Sequence, residues 1–143
     1  MGVKNPSPLV RYWVGGFVME EDIMALGNMS YVEKSELAFN PITPLDILRE
    51  LAKDKDRWVR EYVAAHSNAS DDTLRQLVGD KAGDVRGEVA ENPKASGKIV
   101  VMVFEYEKSL SEPDEDVIKA LYDNTNLPAF AKRVIETLFG EML

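Results

Sequence analysis

Two stretches of this chain, VREYVAAHSNAS at residues 59–70 and VRGEVAENPKAS at residues 85–96, share one pattern of apolar and charged residues and start 26 residues apart. When residues 40–65 are aligned with residues 66–91, ten of the 26 positions are identical. In the first copy these are Asp46, Leu48, Arg49, Leu51, Asp54, Lys55, Val59, Arg60, Val63 and Ala64. Similarity at a fixed spacing indicates a structural unit that is repeated along the chain.

Each unit is predicted to consist of two short helices. In the first unit, apolar residues recur at helical spacing on two stripes, Ile47, Leu48, Leu51 and Ala52 on one helix, then Val59, Tyr62 and Val63 on the next. We expect the helices of the two units to begin at the capping residues Thr43, Asp56, Ser70 and Asp84. Two short helices cannot bury an apolar stripe by themselves, so stacked copies are predicted to share one core.

The pattern weakens on both sides of these two copies. We expect residues 1–39 to hold an N-terminal cap and a degenerate repeat, residues 40–93 the two clear repeats, and residues 94–143 degenerate repeats and a C-terminal cap. Ser30 and Glu33 have the spacing of a capping box. Residues 98–106 are rich in β-branched residues and could form a strand, but their register with the repeats favours a helix.

The segment NPITPLDILRELAKDKDRWVREYVAAH at residues 40–66 resembles the leucine-rich repeat variant family, which is close in shape to HEAT-like helical repeats. The second unit keeps the leucines, the aspartate and the Val-Arg-x-x-Val-Ala segment, but lacks the Asn-Pro-x-Thr-Pro start. The resemblance implies an all-α, right-handed superhelical solenoid of short helical hairpins, with about five units. Some members carry an iron–sulfur module with clustered cysteines, a property that does not extend to this chain.

Composition limits the classes of function. The 143 residues fit one domain, and the absence of cysteine excludes disulfides and thiolate metal sites. A net charge of −8 with no strongly basic segment disfavours nucleic acid as the main partner. No apolar run approaches the roughly 20 residues that a membrane-spanning helix needs. With neither a basic leader nor a small-residue cleavage site, a cytoplasmic location is expected.

Three features that could carry chemistry have a structural interpretation. His66 aligns with Asn40 and Asn92, which end helices, so we expect it to cap a helix end rather than to catalyse or bind metal. Arg60 and Arg86 recur with the period and are predicted to bridge neighbouring units through an aspartate or a loop carbonyl. The acidic segment at residues 111–117 is typical of a helix start. The sequence therefore predicts no catalytic residue, metal or cofactor.

The positions at which the two units differ are more informative about function. Four residues of the first unit, Arg57, Trp58, Glu61 and Tyr62, are replaced in the second by Gly83, Asp84, Gly87 and Glu88. Tryptophan, tyrosine and arginine are enriched at interface hot spots. These four residues are therefore predicted to belong to a partner-binding surface, the alternative being that the aromatic pair packs under an adjacent unit.

We expect a non-catalytic protein–protein interaction module or scaffold, whose protein or peptide partner is basic or neutral. The alternatives are a nucleic-acid-binding HEAT-like protein, an enzyme with a small-molecule pocket, and a structural or regulatory subunit of a larger assembly. The apolar N-terminal stretch, Leu9 to Met19, is predicted to cover the open end of the stack or else to mediate self-association.

Overall fold

The computed structural model describes residues 18–143, and this part of the chain contains nine α-helices and no β-strand. The helices are α1 (Glu20–Ala25), α2 (Tyr31–Phe39), α3 (Leu45–Leu51), α4 (Arg57–Ala65), α5 (Asp71–Arg75), α6 (Gly83–Glu91), α7 (Gly97–Ser109), α8 (Glu115–Asp123) and α9 (Ala129–Phe139). Short 3₁₀ turns cover Leu26–Asn28 and Gly140–Met142. The predicted all-α class is therefore confirmed for these residues.

The helices pack in two rows. Helices α2, α4, α6 and α8 each contact the next member of that series, and we call them the even row. Helices α1, α3, α5 and α7 do the same and form the odd row, while α9 packs against α8. Some helices that are consecutive in the chain also contact each other across the rows, as α3 does with α4 and α7 with α8. The repeated sequence is thus matched by repeated helix contacts.

One apolar cluster runs from Leu26 to Ile135 and joins both rows. The positions that are identical in the two sequence copies supply its middle, with Leu48, Leu51, Val59 and Val63 from the first copy almost completely inaccessible to solvent. Their counterparts in the second copy, Leu74, Leu77, Val85 and Val89, are equally buried. The identities between the copies therefore reflect the core that both must build.

Two of the predicted helix caps are wrong. Helix α3 begins after Pro44, and the Thr43 hydroxyl donates instead to the backbone carbonyl of Leu37 on α2. Helix α6 begins at Gly83, so Asp84 lies inside its first turn and pairs with Arg57 on α4. In both cases a contact with a neighbouring helix takes the side chain that local propensity assigns to a cap.

The other predicted caps are confirmed. The Ser30 hydroxyl accepts from the backbone N–H of Glu33, whose carboxylate accepts in turn from Ser30, as a capping box requires. Asp56 accepts from the N–H groups of Trp58 and Val59, and Ser70 accepts from that of Thr73. These side chains satisfy N–H groups that a helix start leaves free.

The β-branched segment is helical, and the acidic segment at residues 111–117 leads into a helix. Residues 98–106 lie within α7, in agreement with the predicted helix. In the acidic segment, α8 begins at Glu115, in agreement with the predicted helix start. Its cap is Asp114, which accepts from the N–H groups of Asp116 (3.0 Å) and Val117 (3.3 Å). No helix within residues 18–143 is both long and apolar enough to cross a membrane.

Candidate functional site

A series of charged pairs joins cations on even-row helices to carboxylates in the loop or odd-row helix of the next unit. Lys34 Nζ on α2 lies 2.7 Å from Asp54 Oδ2, and Arg60 Nε on α4 lies 2.7 Å from Asp80 Oδ2. Arg86 on α6 pairs in the same way with Glu107 on α7. The three cations, Lys34, Arg60 and Arg86, are one repeat apart. We call the three pairs together the charged ladder, and each pair one of its rungs.

Each rung also fixes a loop. The Asp80 carboxylate accepts from the backbone N–H of Ala82 at 2.9 Å, and Glu107 accepts from that of Asp114 at 2.9 Å. Arg60 Nη1 donates to the carbonyl oxygens of Asp54 and Lys55, at 2.8 and 3.0 Å. The predicted bridging role is therefore confirmed for Arg60, while Arg86 bridges to the next unit through a glutamate rather than an aspartate or a loop carbonyl.

A second ladder runs along the C-terminal ends of the even helices. His66 Nε2 donates to the carbonyl oxygen of Asn40 at 2.7 Å, while Nδ1 accepts from the backbone N–H of Asn68 at 2.9 Å. Asn92, one repeat after His66, and Asn124, in the following unit, make the same kind of contact, donating to the carbonyl oxygens of Ala64 and Ala90. Both ring nitrogens of His66 are occupied in the neutral form, which confirms the predicted helix-end role.

The surface that these ladders leave free is the outward side of the even row. Four clefts follow one another along it, from the exposed side of α2 to the groove between α6 and α8. The largest, about 640 Å³, lies between the ends of α6 and α8, and a cleft of about 350 Å³ lies between α2 and α4. We call this outward side the docking face.

The α2 and α4 end of the docking face is apolar. It carries an aromatic patch that consists of Tyr31, Val32, Phe39 and Tyr62. The Phe39 and Tyr62 rings meet edge to face, with centroids 5.9 Å apart. Phe39 is nevertheless 73% exposed and Tyr62 39% exposed. A contiguous group of exposed aromatic side chains is typical of a contact surface.

The middle of the docking face is acidic. The cleft that runs from α4 along α6 to the start of α8 is lined, among the described residues, by six carboxylates and two glycines: Glu61, Asp84, Glu88, Glu91, Asp114 and Asp116, with Gly83 and Gly87. We call it the acidic cleft. The nearest pairing across it joins Arg57 Nη1 to Asp84 Oδ2 at 3.0 Å. The docking face therefore changes from aromatic to anionic over neighbouring helices.

Two carboxylates of the acidic cleft are held in an unfavourable environment. Burial raises the pKa of Glu61 above its ordinary value, and the charge of Asp84 raises it further, against the opposing effect of Arg57. Burial also raises the pKa of Glu88, with further contributions from Glu91, Glu61 and Asp84. A carboxylate whose pKa is raised by burial and by neighbouring carboxylates is stabilised in its charged form by the arrival of a cation.

The four residues predicted to bind a partner separate into two pairs. Glu61 and Tyr62 line the clefts, and Tyr62 is exposed rather than part of the α4 stripe, so its predicted inward position is wrong. Arg57 and Trp58 lie at the N-terminal end of α4, outside the cleft linings, where the Arg57 guanidinium lies 4.5 Å from the centre of the Trp58 ring. Trp58 is 47% exposed, so the alternative that it packs under an adjacent unit is wrong.

Sequence reasoning missed the residues one unit before and after this set. Phe39 on α2 and Glu88 on α6 line the same cleft as Tyr62. The 26-residue repeat could have placed Phe39 on this surface, because positions 31, 32, 35, 36 and 39 align with positions 57, 58, 61, 62 and 65. The upstream copy is too degenerate in its core residues for identity alone to reveal that register.

The docking face combines exposed aromatic side chains with carboxylates. Its one neighbouring imidazole, His66, is committed to backbone contacts on both nitrogens. Within residues 18–143 no three histidine, aspartate or glutamate side chains are grouped closely enough to hold a metal ion.

The predicted N-terminal apolar stretch lies outside the described residues up to Phe17, and beyond it Val18 is half-buried and Met19 exposed. Comparison with protein-family models, with curated proteins and with solved structures finds no match to this chain.

Proposed function

We propose that this chain is a non-catalytic protein–protein interaction module, built as a right-handed solenoid of about five helical hairpins of the leucine-rich repeat variant or HEAT-like kind. Support for the architecture comes from the two helix rows and the two ladders, both of which advance by one sequence repeat. Stacked hairpins of this kind present one long outward face, which suits an extended peptide or protein partner.

The observation that carries the function is the contrast between repeated and unrepeated positions. The valines of α4 and α6 that face the core are identical in the two copies, whereas Trp58, Tyr62 and Glu61 have no counterpart of the same type. Stacking accounts for the former and places no constraint on the latter. Two exposed aromatic rings beside a carboxylate on a rigid helix are the chemistry of an interface hot spot.

Site-specific photo-crosslinking tests this proposal. Replacing Tyr62 with a photoreactive phenylalanine derivative, in cells that naturally make the protein, is expected to give adducts larger by the mass of a partner protein. The matched control carries the same group at Phe130 on α9, which is 55% exposed but lies off the docking face. Adducts at neither position, or equally at both, would contradict the proposed face.

A further inference from the structure

The acidic cleft is built to accept cations that the described chain does not supply. Its lining consists of carboxylates and glycines, and the adjoining Arg57 is already paired with Asp84. The carboxylates are spread along the cleft rather than grouped around one point, since no three of them could hold a metal ion. Several separated cationic groups on a flexible chain fit this distribution better than one divalent ion does.

Two buried polar atoms on the same face have no hydrogen-bond partner among residues 18–143. They are Glu61 Oε2 on α4 and Ser35 Oγ on α2, which occupy equivalent positions one repeat apart. Both residues line clefts of the docking face. A buried carboxylate oxygen without a donor is costly, so its retention points to a donor that arrives with a ligand.

The third member of this positional series is Gly87, in the middle of α6. Glycine destabilises a helix interior relative to alanine, and packing does not require it here. A Cβ at Gly87 would meet only Val117 Cγ2, at an ordinary contact distance of 3.9 Å. Gly87 therefore lowers the stability of helix α6. Because it has no side chain, it leaves the acidic cleft open between Glu61 and Glu88.

We infer that the occupant of the docking face is a basic segment of a partner protein, with an apolar side chain on the aromatic patch and Lys or Arg side chains in the acidic cleft. This inference rests on the proposed interaction function and names the chemistry of the partner. Charge complementarity selects the basic residues, and the Phe39–Tyr62 pair selects the apolar one.

The geometry also sets the spacing within that segment. The aromatic patch spans α2 and α4, and the acidic cleft starts on the far side of α4. Neighbouring packed helices lie about 8–10 Å apart. An extended chain advances about 3.3 Å per residue. The apolar residue and the first basic residue are therefore expected about three positions apart in an extended segment.

Peptide display on the full chain tests the inference. A library of random 12-residue peptides is selected against the wild-type protein at low salt, and the binders are then measured by fluorescence anisotropy. Selected peptides are expected to carry net positive charge and an aromatic or aliphatic residue near the first basic one. Their affinity is expected to fall at least tenfold in the Glu61→Gln/Glu88→Gln variant, and to weaken as salt is raised.

The matched control is Glu50→Gln/Glu105→Gln, which changes the net charge by the same amount on the odd-row helices α3 and α7. Both of these glutamates make exposed pairs, with Lys53 and Lys108, so their replacement leaves the docking face unaltered. Peptide affinity is expected to stay within about twofold in this variant. Equal weakening in both variants would show non-specific attraction to an acidic protein and would overturn the inference.

The remaining outcomes separate this inference from the proposed function. Neutral or acidic peptides that are lost in a Tyr62→Ala variant would overturn the basic partner and leave the docking function standing. Selected sequences resembling the apolar N-terminal stretch, residues 9–19, would assign the face to a segment of this chain instead, which also overturns the inference. A selection that yields no binder counts against the basic peptide, while crosslinking at Tyr62 decides the docking function independently.

Discussion

Replacing Glu107 with glutamine is expected to be among the most destabilising conservative changes in the chain. Glu107 is completely buried, and Arg86, its partner, is 5% exposed. The substitution keeps the size of the side chain but removes the counter-charge of a buried guanidinium. Breaking a buried ion pair from one side costs about 3–5 kcal/mol, because the remaining charge has no compensation.

The structure places the effect at the lower end of that range. Arg86 would keep its bond to the carbonyl oxygen of Asp80, at 2.7 Å, and its position 5.4 Å from the centre of the Tyr106 ring. We therefore expect a loss of about 3 kcal/mol in the free energy of unfolding. For a domain of this size that corresponds to a fall of roughly 10 °C in Tm.

Urea unfolding followed by circular dichroism at 222 nm measures the loss, with thermal unfolding as a second readout. The exposed pair Asp72–Arg75, at 3.8 Å, supplies the control, and Asp72→Asn is expected to cost about 0.5 kcal/mol or less. The Arg86→Met/Glu107→Leu variant should recover at least half of the loss, since neither charge then remains buried. A cost below about 1 kcal/mol for Glu107→Gln would refute the reasoning.

Three further sets of substitutions test other parts of the structure. Gly87→Ala should stabilise the protein by about 0.5–1 kcal/mol in urea unfolding. Gly83→Ala should destabilise it, because the added Cβ would lie 2.0 Å from Asp114 Oδ2 and displace the cap of α8. A Gly83→Ala variant that is more stable than Gly87→Ala would contradict this account of α6. Glu88→Gln should stabilise the protein by up to about 0.5 kcal/mol at pH 7. Because the pKa of Glu88 is raised in the folded protein, the charged carboxylate disfavours folding. The stability gained by Glu88→Gln should therefore shrink as pH falls through that pKa, and vanish below about pH 4, where Glu88 is protonated in both the folded and the unfolded protein. A gain in stability that grows on acidification would be inconsistent with the raised pKa. His66→Asn should cost less than about 1 kcal/mol, because an asparagine, Asn92, occupies the equivalent site one repeat later. His66→Ala should cost about 2 kcal/mol, because the hydrogen bond to the Asn40 carbonyl is lost. Thermal unfolding compares the two variants, and equal losses of stability would argue against the helix-end role of His66.

The part of the fold that sequence predicts well is the part that repeats. Val59 and Val63 are buried, as are their counterparts in the second copy, Val85 and Val89, because both copies pack against their neighbours through the same positions. The helix ends were less predictable, since Thr43 and Asp84 are taken by contacts with α2 and α4 that no local pattern specifies. Tertiary neighbours, rather than propensity, decide those two positions.

The sequence pattern named only part of the candidate site. Unrepeated positions identified Glu61 and Tyr62, yet the aromatic patch also needs Phe39 from the degenerate upstream copy. The first rung of the charged ladder was missed for a similar reason. Lys34 stands where later units have arginine, so an alignment by identity does not reveal that it also donates to an aspartate of the next unit.

The charged ladder has a consequence for how such a chain can change its length. Every rung joins a cation in one unit to a carboxylate that comes 20 or 21 residues later, and that carboxylate also fastens the loop it belongs to or precedes. Adding or deleting a few residues between two rungs would leave a buried charge without its partner. Adding a complete 26-residue unit would instead bring a new cation and a new acceptor together, each suited to the existing neighbours. Growth by whole units is therefore tolerated where smaller insertions are not, and the docking face would lengthen by one helix with each addition.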